Sequence, residues 1–370
     1  MRKFAYISTF FFVFIAVQAS AKVWVVNADG TGNFITLTAA IGSAASGDTI
    51  FVAPGGYVES PPVTSKTLTV LGMGFSSDST ATWSIILNST LYLGIGSVLS
   101  GLELRGPANP LIELDTNSTI EKCHLLVSAN KTGIQANYNL CVVRQNIIQA
   151  STMGSSGVVL GYTGSSTSSG WGSGWGATVL NNLIYNFYNA IIVVGGADAI
   201  IANNVILANG STAISFYSPS GAGSFVGKVF SNICIDGGGA GGNPIVLPGT
   251  YYCAYNDVWG NINNTLPSFD VGSISSNPEF VNYSSTAGYV YGTSNLHLAA
   301  GSPCIDAGEP NVGNNDRDGS RNDMGIYGGP EMFDDSGTPI YPCVIDVIVS
   351  PYAAPLNGTI TIKALGRIGQ

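Results

Sequence analysis

One short pattern of apolar and polar positions recurs through the middle of the chain: apolar, two spacers, small polar, one spacer, apolar. It reads Ile120-x-x-Cys123-x-Leu125, Val143-x-x-Asn146-x-Ile148, Val179-x-x-Asn182-x-Ile184, Ile201-x-x-Asn204-x-Ile206 and Val229-x-x-Asn232-x-Cys234, with a looser copy at Cys253-x-x-Asn256-x-Val258. The small polar markers lie 23, 36, 22, 28 and 24 residues apart. A further apolar segment follows each, at Ile134, Val158, Ile191, Ile214 and Ile245. A period in the twenties with several short strands per unit is the sequence form of a solenoid. No 3.6-residue periodicity survives across a unit, which excludes helical repeats. The leucine-dominated pattern of leucine-rich repeats is absent.

Coiled strands stack in parallel about 4.8 Å apart, so equivalent residues form columns. The column Asn146, Asn182, Asn204, Asn232 and Asn256 is therefore expected to be a ladder of side-chain amides between coils. One column over, Glu121 and Arg144 are expected to form a surface ion pair.

Ahead of the repeat, a strand from Trp24 to Val26 precedes a glycine-rich turn. Leu37, Ala40, Ile41 and Ala44 then fall at helical spacing, before a second strand from Thr49 to Ala53. This opening resembles that of pectinesterases and other pectin-lyase-like proteins, and KTLTVLGMG (66–74) is similar to their early coils. The resemblance implies an all-β, right-handed parallel β-helix with a short N-terminal capping α-helix over the open end of the coil. Repeat arrays need such a cap because the first coil would otherwise expose its interior. Further short strands are expected at Lys66 to Leu71, Ser84 to Leu87, Leu91 to Leu93 and Val98 to Leu104. Segments 276–282, 296–310 and 316–329 resemble the closing coil of secreted bacterial β-helix proteins.

The ends read differently. Arg2 and Lys3, an apolar run from Phe4 to Val17 and Ala19-Ser20-Ala21 follow the order of a secretory signal. The run is shorter than the ~20 residues a membrane span needs. The expected organisation is a signal over 1–21, a β-helix over 22–330, and over 331–370 a proline-bearing linker with the start of another β-module. That last part holds two strand-like runs, Val344 to Val349 and Gly358 to Ala364, and stops in a way that suggests continuation beyond Gln370. The mature protein is expected to be secreted or held at the cell surface, as a monomer.

Composition narrows the partners. Loss of the signal leaves 11 basic against 22 acidic residues, a net charge of −11. No basic stripe is present to replace phosphate counterions, which argues against nucleic acid. Charged residues make up 9% of the chain, against about 25% in ordinary domains; the 48 glycines suit tight turns between stacked strands. Of the six cysteines, Cys123, Cys234 and Cys253 sit at inward positions as small hydrophobes, and Cys304 with Cys343 is a candidate disulfide.

The 36-residue interval carries a surplus, Tyr162 to Gly176, rich in Gly and Ser. Tyr162, Trp171 and Trp175, with Tyr217 on a separate coil, are candidate carbohydrate-binding residues, since flat aromatic faces outside a core stack on sugar rings. The implied partner is extracellular polysaccharide or a cell-surface glycan. Asn314-x-Asp316-x-Asp318-Gly319, with Asp323, is a candidate Ca2+ site, although Gly325 stands where a calcium loop places its twelfth-position Glu. The catalytic motifs of pectinesterases and the Gly-His-Gly element of the fold's glycosidases are missing. With two histidines, His124 and His297, a Ser-His-Asp triad or a His-rich metal centre is disfavoured. Three readings stay open: a non-catalytic glycan-binding or structural β-helix, a polysaccharide lyase or hydrolase with a site near Arg105 to Arg144, and a spacer for a missing C-terminal module.

Overall fold

The computed structural model describes residues 21–75, 85–161, 176–194, 198–217, 227–237, 243–247, 251–335, 343–350, 359 and 361–367. The body is the expected all-β parallel β-helix. One sheet has ten strands, from Val23–Val26 to Tyr252–Ala254, each paired in parallel with a strand from a neighbouring coil. A second, of thirteen strands, supplies the other two walls of the coil. The repeat sets the register: Ile120 pairs with Val143, Val143 with Val179, Val179 with Ile201, Ile201 with Val229, and Val229 with Cys253. On the third wall Ile134, Val158, Ile191, Ile214 and Ile245 form one unbroken column.

The asparagines form the ladder. Asn146 Nδ2 donates to Asn182 Oδ1 at 3.0 Å, and the pattern repeats from Asn182 to Asn204, Asn204 to Asn232 and Asn232 to Asn256. All five are fully buried. The column ends where the side chains change: Cys123 offers no amide below, and the Asn256 N–H donates to Ser273 Oγ above.

Both ends of the lumen are plugged. The helix Leu37–Ser43 buries Leu37, Ala40 and Ile41 over the first coil, a burial that contributes about 1.5–3 kcal/mol for each large side chain. Glu59, itself buried, accepts from the Leu37 and Thr38 N–H groups, and Lys66 Nζ donates to the Ile41 and Gly42 carbonyls. At the far end Leu266 and Phe269 pack against the lumen core. Closure therefore comes from residues just past the ladder, not from 276–330.

Other expectations need correction. The run Val98 to Leu104 is two strands, Val98–Ser100 and Glu103–Gly106, because the chain turns a corner at Gly101 (φ 74°). Cys304 is a free, buried thiol and forms no disulfide. Strands Cys343–Ser350 and Thr361–Arg367 pair antiparallel with each other.

The largest departure is residues 277–335. These residues form no coil; they lie on the outside of the solenoid as a strap that descends from Tyr283 beside Asp236 to Tyr291 beside His124, returns to Cys304 beside Asp257, and descends again to Asp334 beside Lys122. The residue before each ladder position has a left-handed backbone, from Lys122 (φ 50°) and Gln145 (φ 55°) through Asn181, Asn203 and Ser231 to Tyr255 (φ 53°). Their side chains meet the strap in descending order. Asn322 Nδ2 donates to Ser231 Oγ, Asn203 Nδ2 donates to Asn322 Oδ1, and Asn181 Nδ2 donates to the Ile326 and Gly328 carbonyls. Gln145 Nε2 then donates to the Glu331 and Met332 carbonyls, and Lys122 pairs with Asp334 at 3.1 Å. Beneath the strap lies a second apolar core in which outward-facing Ile147, Leu183, Val205 and Ile233 meet Leu296, Met324, Ile326 and Phe333.

Candidate functional site

The predicted residues are placed unevenly. Tyr162, Trp171 and Trp175 lie outside the described residues. Tyr217 ends the strand Thr212–Tyr217, is exposed, and pairs in register with Val194 one coil below. On the same wall, nearer the N-terminus, the Tyr92 hydroxyl donates to Asp115 Oδ2 at 2.7 Å and Asn137 Nδ2 donates to Glu113 Oε1 at 2.8 Å.

The candidate calcium ligands serve the strap's own backbone. Asp316 accepts from the Asp323 N–H and from the Gly329 N–H. Asp318 accepts from the Ser320 N–H and hydroxyl, and Asp323 accepts from the Asp306 N–H at 2.7 Å. Burial pushes the Asp316 carboxyl up to about 6, whereas Ser320 lowers that of Asp318. Asn314 faces elsewhere, into a cavity at the sheet margin. Among the described residues no group of three or more His, Cys, Asp or Glu side chains is placed to hold a metal ion.

The chemistry gathers along the strap margin, where three cavities adjoin. The upper one, about 500 Å³, has Ile200, Lys228, Phe230 and Tyr252 on the sheet side and Glu309 and Asn314 on the strap side. Pro330 and Glu331 also border the middle cavity, about 590 Å³, with Arg144, Arg317, His297 and Tyr327. His297, Tyr327, Phe333 and Asp335 are shared in turn with a lower cavity of about 330 Å³ that adds Tyr289, Tyr291, Ser294 and Asn295. The upper and middle cavities follow six consecutive coils, a trough about 24 Å long at the stacking interval of parallel strands.

Its electrostatics are nearly closed. Arg144 Nη2 lies 2.7 Å from Glu121 Oε2, and Nη1 pairs with Glu331. Burial works against that guanidinium, but the two glutamates outweigh it and raise its pKa. The pair foreseen as a surface contact is thus part-covered, with Glu121 only 5% exposed. Tyr252 donates to Glu309, and Tyr327 donates to Asp335 Oδ1 at 2.6 Å. The His297 ring stacks on Tyr327, with centroids 3.7 Å apart and planes 17° apart, and its Nε2 lies 3.8 Å from Asp335 Oδ2. Lys228 and Arg317 have no ion pair among the described residues; Arg317 Nε donates to the Pro330 carbonyl.

A cleft with aromatic faces and a few convergent polar groups suits a ligand that is part apolar and part hydroxyl-rich. No sequence pattern marks His297, between Leu296 and Leu298, or Tyr327 as a site residue. They are far from the repeat, and only the strap's return brings them to Arg144.

No protein-family model matches the chain, and no curated protein matches it in sequence. Among solved structures, the crystal structure of pectate lyase Pel9A is similar over 83% of this chain and 96% of that chain, at 14% identity and a TM-score of 0.43. No helix among the described residues is long and apolar enough to cross a membrane.

Proposed function

We propose that this chain is a secreted or cell-surface polysaccharide-binding protein, non-catalytic, that holds a glycan strand along the trough between strap and coils. The observation that carries the reading is the adjoining of three cavities, the middle and lower ones bordered by the His297–Tyr327 stack, a shape for an extended ligand. The carboxylates of the trough are engaged by neighbouring side chains, which leaves hydroxyl recognition to the amides and to Lys228 and Arg317.

A second reading, polysaccharide lyase or hydrolase, draws on the His297–Asp335 pair and Arg317 in one cavity. A positioned imidazole is a common general base.

The test is a panel of neutral and acidic polysaccharides, with calcium and with chelator, assayed for binding and for cleavage. Binding is expected without product, and weakened about tenfold or more by His297→Ala combined with Arg317→Ala. Release of unsaturated uronate, seen by ultraviolet absorbance, establishes the enzyme instead. Loss of binding on Trp171→Ala with Trp175→Ala, and none on the trough variant, moves the site to the Tyr162–Gly176 excursion. Dependence on calcium that Asp316→Asn abolishes supports the Asn314, Asp316, Asp318 and Asp323 site.

A further inference from the structure

Between His124 and Asp257 the outward column beneath the strap is wholly apolar. It runs His124, Ile147, Leu183, Val205, Ile233, Asp257, each in register with the next coil or bridged to it. His124 at the lower end has Glu103 3.2 Å from its Nδ1. Asp257 at the upper end has no ion pair among the described residues, and it is fully buried. Its carboxylate accepts from the Ser276 N–H at 3.1 Å and from the strap's Cys304 Sγ at 3.4 Å.

The groups around Asp257 offer no opposite charge, and burial outweighs the hydrogen bonds that Ser276, Cys304 and Val258 donate to it. Cys304 faces it from the strap, with a thiol that burial drives upward. Asp323, behind Cys304, adds negative charge. Arg321 is spent on the Ala307 and Gly308 carbonyls and on the Tyr255 ring, and Asp236 on the adjoining coil corner is bonded to Tyr283.

We propose that Asp257 makes the strap an acid-secured clasp: uncharged, the carboxyl lies buried beneath Cys304 at little cost, and ionised it becomes a buried charge with no opposite charge beside it, which loosens this end of the strap. Glu309, five residues beyond Cys304, forms a wall of the upper cavity, so the clasp regulates the trough; that consequence rests on the glycan reading, whereas the clasp itself does not. Burial raises the Asp257 pKa from 3.8 to about 6. The seated strap therefore holds its proton at pH values where the released strap has lost it. Seating is strongest below about pH 4, weakens between about 4 and 6, and stays weak above that.

Hydrogen–deuterium exchange on the full chain at pH 5 and pH 8, corrected for intrinsic rates, tests this. Strap peptides covering 296–333 are expected to lose about tenfold in protection at the higher pH, while coil peptides around 120–127 and 143–150 hold theirs. In Asp257→Asn the strap is expected to be equally protected at both. Equal protection in the wild-type chain overturns the clasp and needs no variant; so does a drop that persists in a folded Asp257→Asn. Polysaccharide affinity measured at the same two pH values separates the readings. A strap that responds to pH in a chain that binds no glycan leaves the clasp standing and removes the ligand. Binding that is equal at both pH values, with an unresponsive strap, does the reverse.

Discussion

At the scale of the residue, each rung depends on one asparagine doing several jobs. Asn204 Nδ2 donates to the Val179 and Ala202 carbonyls and to Asn232 Oδ1, and its own Oδ1 accepts from the Asn182 N–H and Nδ2. The side chain closes a corner whose preceding residue, Asn203, has φ of 54°, a conformation that costs a residue with Cβ about 1–2 kcal/mol. Asn204→Ala leaves several buried groups short of a partner, each worth about 1–3 kcal/mol. A loss of about 3 kcal/mol or more in urea denaturation is expected. A loss within about 0.5 kcal/mol, the range of ordinary surface changes, means the ladder is not what holds the corner.

At the scale of the element, the strap is a long segment with little regular structure of its own. It is fastened by corner side chains and by the apolar layer below. Ile326 is 2% exposed within that layer, so Ile326→Ala is expected to cost about 2–4 kcal/mol of docking. Limited proteolysis within 277–335 is the check, with cleavage accelerated while the far-ultraviolet β-signal is kept. The lumen was legible because its columns repeat in the sequence. The strap was not, for a physical reason. Its docking uses main-chain carbonyls, at Ile326, Gly328, Glu331 and Met332, which every sequence supplies and no side-chain pattern marks. Its footprint, by contrast, was written in the coils. Val205-Ile206-Leu207 and Ile233-Cys234-Ile235 are buried at every position. Strands apolar on both faces are covered on both. The candidate site shared the strap's fate, since His297, Arg317 and Tyr327 reach Arg144 only through that return.

At the scale of the molecule, two cores share one wall: a lumen plugged at both ends and an outer layer roofed by the strap. Cys123, Cys141, Cys234, Cys253 and Cys304 are all buried free thiols. Burial pushes Cys123 up to about 12 and Cys141 up to about 11. A thiol must be ionised to react, so these five are expected to resist alkylation at pH 8 in the native protein and to label once urea unfolds it. Labelling of any of them at native rates near those of a free thiol contradicts the packing. The strap has one more consequence. A coil offers the same donor upward and the same acceptor downward as its neighbours, so nothing in the ladder fixes how many coils there are. The strap does, because it must reach from Tyr255 to Lys122 with each contact meeting its own coil. Duplicating a single coil would leave it about 4.8 Å short. The solenoid can be lengthened by copying, but its strap is a ruler, and the two can change length only together.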